Sequence, residues 1–212
     1  MYLNNRTRCP DDILEKLMVA AGRAVGAKTT KAWVNVNMSK TNRTRGTAED
    51  VSRCRRLRGK KNGRLRRSRW ASVAGAFNLT IPNPDYVKPE DVGKHAEIIF
   101  NLVMHEFAHV REYQIGRHKF EWSHRQNGRR PKWKRRPEEI RAEDTVYEAM
   151  LKIEKGKIKD PKPLVQALAD WYASQMNEKT NIWLRHRKVK EDYNEAKSQD
   201  DQVPQERMQA AV

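Results

Sequence analysis

The chain has 212 residues, enough for one domain with its own core and extensions but tight for two complete ones. Forty-four Lys and Arg against 27 Asp and Glu give a formal net charge of +17, a balance that attracts polyanions such as nucleic acid without specifying which. No apolar run is long enough to span a membrane, Met1 to Arg6 lacks the apolar core of a secretion signal, and Cys9 and Cys54 lie outside any CxxC pair. A cytoplasmic protein with ordinary thiols, no membrane partner and no disulfide framework is therefore expected.

Taken in order, Pro10-Asp11-Asp12 opens a helix in which Ile13, Leu14, Leu17, Met18 and Ala21 recur at helical spacing. Asp12 and Glu15 are spaced as a capping box, and Gly22 or Gly26 ends the element. Ala32, Val34, Val36 and Met38 then alternate with Trp33, Asn35 and Asn37, the period of a half-buried strand. A polar and then strongly basic insertion follows over about 40–69. Its Arg53, Arg55, Arg56, Arg58, Lys60, Lys61, Arg64, Arg66 and Arg67 read either as a solvated loop or as a segment contacting DNA or RNA phosphates. Alternation resumes at Val73, Gly75, Phe77, Leu79 and Ile81, a second strand, and Pro82 to Asp85 turns the chain toward a helix entered at Lys88 to Asp91.

That helix carries His105-Glu106-Phe107-Ala108-His109, an HExxH pattern. At about 3.6 residues per turn the two imidazoles fall on one face, where both can bind a single ion, and Glu106 points beside that ion. Such a centre, with one position open to water, suits zinc hydrolysis with Glu106 as base. The flanks from Ala96 to Tyr113 contain neither Gly nor Pro, as a buried central helix requires, and Gly116 is the expected stop.

A third ligand is needed, and the candidates downstream are His118, His124, Glu138, Glu139 and Glu143. A helix begins near Glu138 with Ile140, Ala142, Val146, Ala149, Met150 and Ile153 as its apolar members, and Gly156 breaks it. At 100 degrees per residue Glu139 falls near the centre of the stripe made by Ala142, Val146, Met150 and Ile153, where a carboxylate must bind a metal or pair with an arginine. Glu143 sits at the stripe's edge, as ligand if the helix is rotated or as partner of a liganding histidine. Beyond Gly156, Leu164 to about Lys197 holds no Pro or Gly and reads as one long helix or two in line. This arm over 157–197 is either packed across the domain or used for self-association, and 198–212 is expected to be disordered.

Together with Arg136-Pro137-Glu138-Glu139-Ile140-Arg141-Ala142-Glu143, the HExxH segment resembles the compact gluzincin peptidases of phages and mobile elements, in particular the ImmA/IrrE-type group. The resemblance covers about Ala32 to Ile153, without the basic insertion and the arm, and implies an α+β, zincin-like fold with a small, mostly antiparallel sheet packed on the HExxH helix and a host-cytoplasm setting for a phage gene; the domain that carries it is expected over 1–156. It implies one zinc held by His105, His109 and Glu139, with Glu106 as catalytic base. The aromatic loop with His118-Lys119-Phe120 is also similar to SprT-like proteases, in which a later histidine is third ligand. The expected function is a zinc-dependent metallopeptidase acting on protein or peptide near nucleic acid, with the strand ending at Ile81 pairing with extended substrate. The rivals are a nucleic-acid-binding protein or a phage structural protein with an inactive core.

Overall fold

Val34 and Val36 of one strand and Phe77, Leu79 and Ile81 of another turn the same way, onto a helix that presents Ile99, Val103, Met104, Phe107 and Val110; all ten are fully buried. Phe77 meets Phe107 edge to face at 5.0 Å, so the sheet and the HExxH helix share one apolar seam. The structure is a computed structural model and describes residues 1–49, 75–115 and 136–209. Among these, the elements are β1 (Tyr2–Asn5), α1 (Asp11–Ala24), β2 (Ala32–Met38), β3 (Arg45–Glu49), β4 (Gly75–Ile81), α2 (Val92–Gln114), α3 (Pro137–Glu154), α4 (Lys162–Gln175) and α5 (Ile182–Gln209). The class is α+β, and no helix among the described residues is long and apolar enough to cross a membrane.

The sheet order is β1-β2-β4-β3. β1 and β4 both run parallel to β2, and only β3 is antiparallel, to β4. The expectation of a mostly antiparallel sheet is thus corrected to a mixed one. Parallel neighbours need a crossover, and α1 supplies it between β1 and β2. β1 is hidden in the sequence because it is four residues long and half asparagine: Asn4 donates to Asn35 Oδ1 at 2.9 Å, and Asn35 donates to Asn78 Oδ1 at 2.9 Å. Trp33 Nε1 adds a third bond to Asn35 at 3.0 Å, which satisfies an amide left only 8% exposed. β3 also lies inside the stretch read as insertion. The nine basic residues from Arg53 to Arg67 lie outside the described residues.

Several local expectations change. The Asp12 and Glu15 capping box does not form: Pro10 precedes the first turn without a side-chain cap, and Asp12 pairs with Lys16 at 3.3 Å. Cys9 is buried, and burial together with Asp12 and Asp11 pushes its thiol up to about 12, so it is an inert core residue. The region expected as an arm from 157 divides instead. α4 belongs to the main core through Leu168, Ala169, Trp171 and Tyr172, and the Tyr172 hydroxyl donates to Pro82 O at 2.9 Å. The backbone of α5 runs on as helix through Ser198 to Gln209, where disorder was expected.

Asn181 joins α5 to the body. It is fully buried; its Nδ2 donates to Pro84 O at 2.8 Å and Val87 O at 2.9 Å, and its Oδ1 accepts from the Trp183 and Leu184 amides as a helix cap. Asn181→Ala removes the cap and strands two buried carbonyls, and should lower stability by about 2–3 kcal/mol. Urea titration should show the midpoint falling with an unchanged slope.

Candidate metal centre

His105 and His109 fall on one face of α2, as i, i+4 residues of an uninterrupted helix must, and Glu139 stands in the first turn of α3 facing them. His105 Nε2 and His109 Nε2 are 3.1 Å apart, and Glu139 Oε2 lies 3.2 Å from the first and 3.3 Å from the second. A tetrahedral ion bonded at about 2.0–2.1 Å sets its ligands about 3.3–3.4 Å apart, so this near-equilateral triangle fits one face of such an ion. Three lone-pair donors converge on one point, and no other such group of His, Cys, Asp and Glu occurs among the described residues.

The electrostatics match a cation site. Burial first and then the neighbouring His109 hold His105 below the ordinary imidazole range, keeping it neutral. Burial pulls His109 down as well, but its bond to Glu139 and the nearby Glu106 outweigh that and carry it up. Burial opposes ionisation of Glu139, yet the two imidazoles win and hold it ionised. The cluster therefore concentrates negative charge and lone pairs where a cation can replace a proton.

Glu106 stands beside this triangle, 4% exposed. Burial pushes its carboxyl up to about 7, while His109 and a hydrogen bond from the Ala48 amide pull the other way. β3 covers it closely: a Cβ on Gly46 would lie 2.6 Å from Glu106 Cγ and Cδ, closer than atoms tolerate. Only glycine fits there. Sequence reasoning missed Gly46 because it sits in a polar stretch, where a glycine looks like a turn.

It also missed the tie between α2 and α3. Arg141 donates to both oxygens of buried Glu112, at 2.6 and 3.1 Å, one turn beyond His109. Of the two alternatives for a carboxylate on this face, Glu139 pairs with the two imidazoles. Glu143 is exposed, outside the triangle, and acts on His105 only through its charge. His118 and His124 lie outside the described residues.

Arg141→Met should leave all three donors in place but loosen α3 against α2, weakening binding of a divalent probe such as Zn2+ roughly tenfold. His109→Ala should abolish it; calorimetric titration of both variants separates positioning from ligation. No protein-family model, curated protein or solved structure matches the chain, so the centre is read from its own donors.

Proposed function

We propose that the chain is a zinc-dependent metallopeptidase, a reading carried by one observation: a two-imidazole, one-carboxylate triangle of tetrahedral dimensions beside a buried carboxyl of near-neutral pKa. The mixed nitrogen and oxygen donor set suits zinc, and three protein donors leave a fourth position for substrate or water. Zinc, when bound by His105, His109 and Glu139, polarises a carbonyl and acidifies water.

The remaining work falls to the chain. Glu106, buried beside the triangle, takes the proton of the attacking water and returns it to the leaving amine. The Ala48 amide fixes the carboxyl's orientation, and Gly46 leaves it room. The substrate strand cannot pair with β4, as the sequence reading had it, because β2 and β3 occupy both its edges. β1 and β3 are the two edge strands, and the contact of β3 with Glu106 makes it, rather than β1, the natural guide for an extended peptide.

Zinc content per chain tests the reading. One equivalent in the wild type, lost in His109→Ala and Glu139→Ala and kept in Glu143→Ala, is the expected result; no zinc after reconstitution would sink it. Glu106→Gln should keep zinc and lose at least about a hundredfold in hydrolysis of an unfolded, fluorescently labelled protein. Gly46→Ala should keep zinc and lose roughly tenfold, because the new methyl displaces the base. Unchanged turnover in Glu106→Gln would remove Glu106 from the mechanism.

A further inference from the structure

At the last turn of α2, a second site lies away from the histidines. Lys28, Lys31 and Arg111 line a pocket of about 140 Å3 together with Gly26, Gln114 and Ile115, and no carboxylate takes part in the lining. Arg111 follows His109 by two residues, about 200 degrees round the helix, so the pocket and the metal triangle face different sides. The pocket is held in shape by bonds between the Gln114 side chain and the Lys28 backbone. Gln114 Oε1 accepts from the Lys28 amide at 2.8 Å, and Gln114 Nε2 donates to Lys28 O at 2.9 Å. Gly26, at φ +74°, makes the turn that brings this loop across α2, with Arg111 packed over it.

Three cations gathered without an acid repel one another, and none of them has an ion-pair partner among the described residues. Their arrangement is relieved by an anion. The space admits one tetrahedral oxyanion with a few waters, each needing about 30 Å3, and not a whole nucleotide.

The charge of the chain says which anion. Residues 50–74 hold ten Lys and Arg against Asp50 alone, and residues 116–135 hold eight against Glu121 alone, so these two stretches carry +16 of the net +17. Both join the body beside the pocket. Residues 116–135 follow directly on Ile115, which lines it, and residues 50–74 run into Gly75, where a Cβ would touch Val110 and Tyr113 of the same turn of α2. A free oxyanion needs no such field, whereas a polymer of phosphates is drawn by it.

We propose that Lys28, Lys31 and Arg111 form a binding site for a backbone phosphate of nucleic acid. This site stands independently of the peptidase reading, and its test is binding alone. A fluorescein-labelled 20-nucleotide oligodeoxynucleotide, single-stranded and duplex, is titrated by anisotropy with full-length wild type and a Lys28→Gln, Lys31→Gln, Arg111→Gln triple variant over a series of salt concentrations. The triple variant should bind roughly tenfold more weakly, and the slope of log K against log salt should fall by about 0.7–0.9, the loss of one phosphate contact. Lys155→Gln, Lys157→Gln, Lys159→Gln, which removes the same charge beyond α3, should change affinity less than about threefold. A single Lys31→Glu substitution, at an exposed position, should weaken binding in the same direction and covers a triple variant that fails to fold.

Equal effects from the two triple variants, or none from the pocket variant, would overturn the proposal. Calorimetry with inorganic phosphate separates the sources: phosphate binding lost in the pocket variant while its oligonucleotide affinity stays at the wild-type value would assign the pocket to a free oxyanion and overturn it as well.

Discussion

Along one side of α2 four polar groups stand among core residues, His105, Glu106, His109 and Glu112, and each has to be answered from another element. Leaving a charged group buried and unpaired costs several kcal/mol, a large share of the stability of a domain this size. Arg141 answers Glu112, Glu139 answers both imidazoles, and the Ala48 amide answers Glu106. Two of these come from α3 and one from β3, so the electrostatic needs of a single helix fix where its neighbours dock. Packing supplies the rest, with Val146, Met150 and Ile153 of α3 against the common core. An ion held by both helices binds only the docked arrangement, so its binding free energy adds directly to that of folding.

Legibility from sequence followed the range of the interactions. Glu139 could be picked from five candidates because helical phase is a local property: a carboxylate in line with Ala142, Val146 and Met150 had to face inward. The strands over Ala32 to Met38 and around Phe77 to Ile81 were visible for the same reason, since alternation is written into consecutive residues. Strand order was not. Nothing local in Ala32 to Met38 says that it runs parallel to both neighbours. β1 was hidden because its partners on the polar face are asparagines, whose ladder stabilises a sheet without an apolar signature. Ile140 shows the converse, an apolar residue counted into the α3 stripe by type although it is 45% exposed. Gly46 and Arg141 were beyond sequence reasoning because their importance lies wholly in what another element places against them.

The last three turns of α2 face two candidate sites on different sides. On one, His105 and His109 meet Glu139 of α3; on the other, Arg111 and Gln114 line a pocket with Lys28 and Lys31. A helix separates such sites well. It holds groups of opposite preference within a few residues of one another while keeping its own backbone and packed apolar side chains between them, so neither neutralises the other. The order of the sequence, alternating ligands with core residues and then ending in Arg111 and Gln114, is what that separation requires.

The attachment of α5 has a mechanical side. Its 28 residues extend about 42 Å, while Asn181, Trp183 and Arg187, through bonds to Pro84, Tyr86, Val87 and Glu90, grip the body within the first two turns. A rod fixed so near one end is a lever: a tilt of about ten degrees at the clamp carries the far end roughly 7 Å. The gripped residues lie just ahead of α2, in the turn that sets where that helix begins. Torque applied to the distal half of α5 is therefore delivered through this clamp to the root of the helix that holds His105 and His109.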